Sequence, residues 1–290
     1  MKFLIAAVLL FGIAGCFLLM LWKLEEIFEV LRKFKLKLIE LYSKSTKREP
    51  PIKDWESISF QDDGQWYCDE KLIAHACGGN VRLAYTNSKE AFLQAVSDGF
   101  HVIEVDARFT KDQALVCAHD FERTMEAPEY AAFMAGRIDG RFSPMDFNQC
   151  MKLAEANDVT LIVDVKLRDE LASVAHYICS QERSFGIYLQ IAMETELEQA
   201  AGLPILYNLT FTEDYERVAA FCIKNDVRVV SISAQRLLKN DSWKILLDHN
   251  IKIYGHTVNG LFQYEDLRRK GIAGVFTDFM IPKDIFDIEV

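Results

Sequence analysis

The sequence predicts an α/β protein, a TIM (β/α)8 barrel carrying an N-terminal transmembrane helix and a juxtamembrane helix. Three observations carry this. Eight strand-like runs alternate with helix-like runs beyond residue 70, the pattern of a parallel barrel. Run after run closes on a polar or ionisable residue, at the strand ends where barrels hold their chemistry. The chain opens with a charge-free run from Phe3 to Trp22, about the 20 residues that a helix needs to cross roughly 30 Å of hydrocarbon. A doubly wound open sheet is disfavoured because no glycine-rich dinucleotide fingerprint follows a strand.

A cleaved signal peptide is the rival for the first run. Its apolar region usually spans about 7–15 residues and leads into small residues, whereas Lys23, Leu24 and Glu25 follow here. From Leu24 to Tyr42, apolar residues at Leu24, Ile27, Phe28, Leu31, Phe34, Leu38 and Tyr42 keep helical spacing. Ser43 to Pro51 is polar, basic and ends in two prolines, a linker. The expected organisation is an anchor over 1–23, a juxtamembrane helix and linker over 24–54, and the barrel over 55–290. Lys23, Arg32, Lys33, Lys35 and Lys37 outnumber Lys2 across the run, so the positive-inside rule leaves a single-pass membrane protein with its barrel in the cytoplasm.

In the barrel, 55–70 is turn-rich and is expected to cover one end. Strands are expected near 71–75, 101–107, 160–166, 187–192, 204–209, 228–232, 251–257 and 274–277. Helices fit 88–98, 145–157, 169–182, 194–201, 212–225, 240–249 and 261–270 between them. The run 114–118 lies too close to 101–107 for a helical crossover and reads as a hairpin partner of the second strand.

A net charge of -10 and a pI near 5.2 exclude a nucleic-acid-binding surface, which needs clustered Lys and Arg. The 7 cysteines show neither CxxC pairs nor the close spacing of a disulfide scaffold, and read as mostly free thiols.

Glu104 and Asp106 stand two residues apart in VIEVDARF, on one face of a strand. Unpaired carboxylates in so apolar a run are costly to bury, and a hard cation with a preference for oxygen ligands removes that cost. Asp164 in TLIVDVK is a third oxygen donor on the next strand. The expected cofactor is one divalent cation, Mg²⁺ or Ca²⁺. The competing account pairs these acids with Arg108, Lys166 or backbone amides. No HxH or HExxH spacing supports zinc. His75 and His119 each close an apolar run and flank the acids, so together they suit general acid and general base. Gly78 and Gly79 permit close backbone approach to a ligand, Lys166 shares a face with Asp164, and Asp278 reads as structural, holding loop amides.

The ordered motifs HACGGN, YTNSKEA, EVDARFTKD, LVCAHD, VDVK, TVN and GVFTD, between Leu72 and Pro282, resemble the glycerophosphodiester phosphodiesterase superfamily, TIM-barrel enzymes akin to phosphatidylinositol-specific phospholipase C. The resemblance implies that His75 and His119 are the acid/base pair, that Glu104, Asp106 and Asp164 hold the metal, and that Lys166 and Asn259 bind substrate. Three departures bear on the substrate. Ala76 stands where the family usually has Arg, Asp164 where it has Glu, and His256 where Trp commonly precedes TVN.

The expected function is metal-dependent cleavage of a glycerophosphodiester or a phospholipid headgroup phosphodiester by His/His acid-base catalysis. The alternatives are a membrane-tethered phospholipase or lyase of the phosphatidylinositol-specific type, and a non-catalytic phosphodiester-binding barrel. Expected partners are a phosphodiester small molecule or phospholipid, and the membrane through the N-terminal helix.

Overall fold

The computed structural model describes residues 65–80, 83–121, 126–182 and 184–286, all within one unit, 52–290. The expected anchor, juxtamembrane helix and linker fall outside these residues. Among the described residues, no helix is long and apolar enough to cross a membrane.

Eight parallel strands form the barrel: β1 (Leu72–Ala74), β2 (Val102–Phe109), β5 (Thr160–Val165), β6 (Ile187–Ile191), β7 (Ile205–Asn208), β8 (Val229–Ser233), β9 (Lys252–His256) and β10 (Gly274–Thr277). β10 pairs with β1, and the ring closes where Ala74 meets Ile103 of β2. Every strand expected from the sequence is present. β3 (Leu115–Cys117) pairs antiparallel with β2, the expected hairpin, and is extended by the short β4 (Met145–Asp146).

Alternation along the strands separates two cores. Outward residues such as Val105, Val163, Leu189 and Ile232 pack under the helices, while Ile73, Val102, Ile162, Leu206, Val229 and Phe276 fill the barrel. Each such side chain contributes roughly 1.5–3 kcal/mol when buried. Helix α1 (Trp66–Asp69) plugs the end of the barrel away from the acids: Tyr67 joins the interior cluster and the Trp66 ring lies 5.5 Å from Tyr188 and 5.3 Å from Tyr254. The expectation that the segment before residue 70 covers one end therefore holds for its described part.

Side-chain caps start several of the helices. Ser88 Oγ accepts the Ala91 amide at the head of α2 (Lys89–Ser97), and Asp146 accepts the Gln149 amide at the head of α4 (Phe147–Ala156). The helix expected over 145–157 starts at 147 because Asp146 serves as cap and as the last residue of β4. The helices α5 (Leu171–Cys179), α6 (Tyr215–Lys224) and α9 (Leu261–Arg269) occupy their expected places. Residues Glu194–Ala200, expected as an ordinary helix, wind as a 3₁₀ helix. The single helix expected over 240–249 is a 3₁₀ turn, Ser242–Lys244, followed by α8 (Ile245–Asp248), and α7 (Ala234–Lys239) precedes it with Ser233 as cap. The sequence reading also omitted α3 (Tyr130–Ala135), beyond the hairpin, and α10 (Pro282–Phe286). The six described cysteines are free thiols, as expected.

Candidate active site

β1 ends at Ala74, and His75 begins a 3₁₀ turn, His75–Cys77, at the mouth of the barrel. Because Ala74 is in register with Thr277 of β10, the residue after Thr277 lands beside His75. Asp278 Oδ1 lies 2.8 Å from His75 Nδ1, which assigns the Nδ1 proton to that bond and leaves Nε2 for a ligand. Burial works against charge on His75, yet the Asp278 hydrogen bond and the charges of Glu104, Asp278 and Asp106 hold its pKa above the ordinary imidazole value. Asp278 thus does more than hold loop amides: it orients a candidate acid/base group.

Asn259, expected to bind substrate, bonds to the loop that follows β10. Its Oδ1 accepts the amides of Asp278 (2.7 Å) and Phe279 (3.2 Å) and the Thr277 hydroxyl (3.1 Å), and its Nδ2 donates to Asp278 Oδ2 (2.7 Å). The amide fixes Asp278 and, through it, His75. Gly79 is also reassigned. A Cβ there would lie 2.3 Å from the Asp278 carbonyl oxygen, so the close approach that needs glycine is to the chain's own β10 loop.

The parallel register of β2 and β5 sets Asp106 opposite Asp164, and Glu104 sits one inward position below Asp106. Oxygens of all three carboxylates lie within 4.8 Å of one another. Lys166 reaches between two of them, its Nζ 2.7 Å from Asp106 Oδ1 and 2.7 Å from Asp164 Oδ2. Burial opposes its charge, but Asp164, Asp106 and Glu104 together keep its pKa well above the usual lysine value. Lys166 is thus paired with the acids, whereas Arg108 stacks on the Phe121 ring at 4.5 Å. Arg168 Nη1 stands 3.5 Å from Asp164 Oδ1, while its Nε and Nη2 pair with Glu196.

Glu104 accepts only a neutral donor in this arrangement, the Ala76 amide at 2.6 Å. Burial and then the charge of Asp106 push its pKa up to about 8, with His75 and Lys166 pulling the other way. Asp106 is fully buried, and its Oδ1 accepts no aligned hydrogen bond despite the nearby ammonium. Three clustered carboxylates, all oxygen donors, suit a hard divalent cation.

His119 follows β3, whose hairpin is tied to β2 by the Ala118 amide on the Asp106 carbonyl (3.0 Å). It is 41% exposed. Between the imidazoles stands Tyr85, edge-on to both, with ring centroids 4.7 Å from His75 and 5.4 Å from His119. The two histidines therefore border one aromatic ring and share one side of the mouth. A third imidazole, His256, faces the Phe276 ring, and burial, with the charges of His75 and Arg236, depresses its pKa to about 4. It is neutral near pH 7.

Two further residues were missed by sequence reading. Asn87 grips Asp106 twice, donating Nδ2 to Oδ2 (2.7 Å) and accepting the Asp106 amide (2.9 Å). Tyr85 is the second. Both lie in YTNSKEA, where they read as loop residues ahead of a helix cap. Their backbones carry positive φ, 61° at Tyr85 and 48° at Asn87, as do Ala76 (48°) and Cys77 (67°). Left-handed backbone at non-glycine residues costs roughly 1–2 kcal/mol each, and its clustering around one carboxylate set marks a functional site.

Residues 76–131 match the model of the Glycerophosphoryl diester phosphodiesterase family. No curated protein matches the chain. Among solved structures, it is similar to an Oleispira antarctica phosphodiesterase in complex with the product sn-glycerol-3-phosphate, with 16% identity, a TM-score of 0.63, and coverage of 75% of this chain and 96% of that one. A glycerophosphodiester phosphodiesterase from Parabacteroides distasonis matches at 16% identity and TM-score 0.60, covering 75% and 95%. One from Thermotoga maritima matches at 21% identity and TM-score 0.51, covering 71% and 93%. At these identities the likenesses establish the barrel fold.

Proposed function

We propose that this chain, whose residues 76–131 match the model of the glycerophosphoryl diester phosphodiesterase family, is a phosphodiesterase whose reaction is metal-assisted hydrolysis of a glycerophosphodiester or a related phospholipid diester. The observation that carries this reading is the convergence of Glu104, Asp106 and Asp164 beside two imidazoles that flank one ring. Glu104, Asp106 and Asp164 would hold a divalent cation, which would neutralise charge on the nonbridging phosphoryl oxygens and lower the pKa of the attacking hydroxyl.

The protein groups divide the remaining work. His119, exposed and held near Asp120 (3.4 Å), takes a proton from the attacking water as its oxygen bonds to phosphorus. His75, whose pKa is raised, donates its Nε2 proton to the alkoxide as the ester P–O bond breaks. The products are a phosphomonoester and a free alcohol. Such proton transfers contribute typically 10²–10⁴-fold each. Lys166, paired with Asp106 and Asp164, adds a positive charge at the mouth that would favour a phosphate oxygen there. The sn-glycerol-3-phosphate of the Oleispira antarctica structure supports a diester with glycerol phosphate on one side. The charge-free run Phe3–Trp22 and its Lys/Arg-rich flank support a single-pass anchor that leaves the barrel in the cytoplasm, which protease protection in sealed membranes checks.

The decisive experiment uses the full chain with glycerophosphodiesters and Mg²⁺ or Ca²⁺. Glu104→Ala and Asp106→Ala are expected to abolish both turnover and cation binding by calorimetry. Turnover that survives both substitutions overturns the reading.

A further inference from the structure

The inward side chains at the barrel mouth divide into two halves. On or just past β1, β2, β5 and β10 they are ionisable, namely His75, Glu104, Asp106, Asp164, Lys166 and Asp278. On β6, β8 and β9 they are polar and uncharged near pH 7, namely Gln190, Ser231 and His256. Alternation fixes their direction: Tyr188, Val229 and Tyr254, each two residues earlier on the same strand, belong to the barrel interior or pack against it. Nothing in the reaction proposed above draws on this second half.

Its polar atoms are not used up by the fold. His256 Nε2 and Ser231 Oγ are both buried without a hydrogen bond among the described residues. On the intervening β7, by contrast, Asn208 is satisfied by the amide and hydroxyl of Thr210. The His256 ring is only partly buried, so its other nitrogen, Nδ1, is left at the open edge. Gln190 stands opposite Asp164 in the β5–β6 register. Arg168 bonds its backbone oxygen (3.3 Å) and leaves the carboxamide to the mouth.

The leaving alcohol comes to this wall. His75, which protonates it in the proposed reaction, and His256 both meet the Phe276 ring edge-on, with centroid distances of 6.4 Å in each case. One ring therefore separates the acid from the neutral half.

The chemistry of that half discriminates among leaving alcohols. A carboxamide, a serine hydroxyl and a neutral imidazole each offer both a donor and an acceptor. A hydroxyl does the same, and so pairs with either tautomer of His256. A primary ammonium only donates and a quaternary one does neither. Both would also bring positive charge toward His75 and Arg236, whose charges already act at His256. An alkyl group would bury the same polar atoms unpaired.

We propose that Gln190 and His256 form a subsite for the hydroxyls of the leaving alcohol, which makes a phosphodiester of a polyol the preferred substrate. The proposal rests on the phosphodiesterase reading above and specifies its leaving group. The imidazole at 256, one of the three departures seen in the sequence, thereby gains a role.

The test compares kcat/KM of the full-length chain, with Mg²⁺ or Ca²⁺, for release of sn-glycerol-3-phosphate from glycerophosphoglycerol, its 1-propanol analogue and glycerophosphocholine. The parent is expected to favour the glycerol ester over the propyl ester about tenfold, since each hydrogen bond lost at a polar wall costs roughly two- to twelvefold. It is expected to favour it over the choline ester by at least as much. Gln190→Leu and His256→Phe are each expected to bring the glycerol-to-propyl ratio down toward one. A parent ratio near one, or a choline ester that outpaces the glycerol ester, overturns the subsite and leaves the phosphodiesterase reading standing. That result is read without any substitution, so it holds even if a variant fails to fold. A ratio that keeps the parent value in both variants while turnover of both esters falls also overturns the subsite, since the two side chains are then structural. Absence of turnover for every diester overturns the phosphodiesterase reading and this inference with it.

Discussion

At the scale of single residues, the two histidines are unequal. His75 is mostly buried, is bonded to Asp278 and lies within the field of Glu104 and Asp106, whereas His119 is 41% exposed on a hairpin. If His75 is the general acid, activity is lost as pH rises through its pKa, because the proton it must donate is gone. Asp278→Asn removes the hydrogen bond and the charge that favour the protonated ring, so its alkaline limb moves to lower pH. Turnover is expected to fall about 10²–10⁴-fold, which pH–rate profiles of the variant and the parent check. The role of Asp278 was not legible in the sequence, where VFTDF reads as a strand end with a loop acid. Its partner lies 203 positions away, and only closure of the ring brings them together. His75, Glu104, Asp106, His119 and Asp164 were legible because each interrupts or ends an apolar run, where an ionisable group needs a reason. Asn87 and Tyr85 gave no such contrast, being polar or aromatic residues in a turn.

At the scale of elements, strands were easier to read than helices. Near-continuous Val, Ile and Leu runs mark strands buried on both faces, and all eight were found. The sequence reading placed one helix over 240–249 and omitted α7 before it, and α3 was missed because it is a short, half-exposed helix whose Tyr130 and Phe133 pack only on the small Phe121 cluster. The junction of β1 with β10 yields a prediction of its own. In Gly79→Ala the new methyl would lie 2.3 Å from the Asp278 oxygen and 2.4 Å from the Phe279 ring. That oxygen cannot easily retreat, since it accepts the Gly79 amide at 2.5 Å. The substitution is expected to cost about 1–3 kcal/mol of stability and to lower turnover by shifting Asp278 away from His75. Denaturant titration beside kinetics separates the two losses.

At the scale of the whole molecule, the surplus negative charge in the barrel mouth couples folding to pH and to cations. Glu104 keeps its proton in the folded, ion-free protein up to about pH 8, against a usual value of 4.5. The folded state thus binds this proton more tightly than the unfolded chain. Its contribution to stability is complete below about pH 4.5 and is lost as pH rises through about 8. The raised pKa of His75 acts in the same direction. Melting temperatures recorded with chelator are expected to decline across that window, and Mg²⁺ or Ca²⁺ is expected to restore them, most at the alkaline end. Glu104→Gln is expected to weaken the decline and abolish the rescue. The hairpin of β2 and β3 has a different consequence at this scale. In the proposed reaction the first histidine belongs to the closed ring and the second rides on an appendage outside it, so the span between them is adjustable. Bulkier esters would then call for remodelling of the appendage alone, and the staves that carry the three acids keep their alignment.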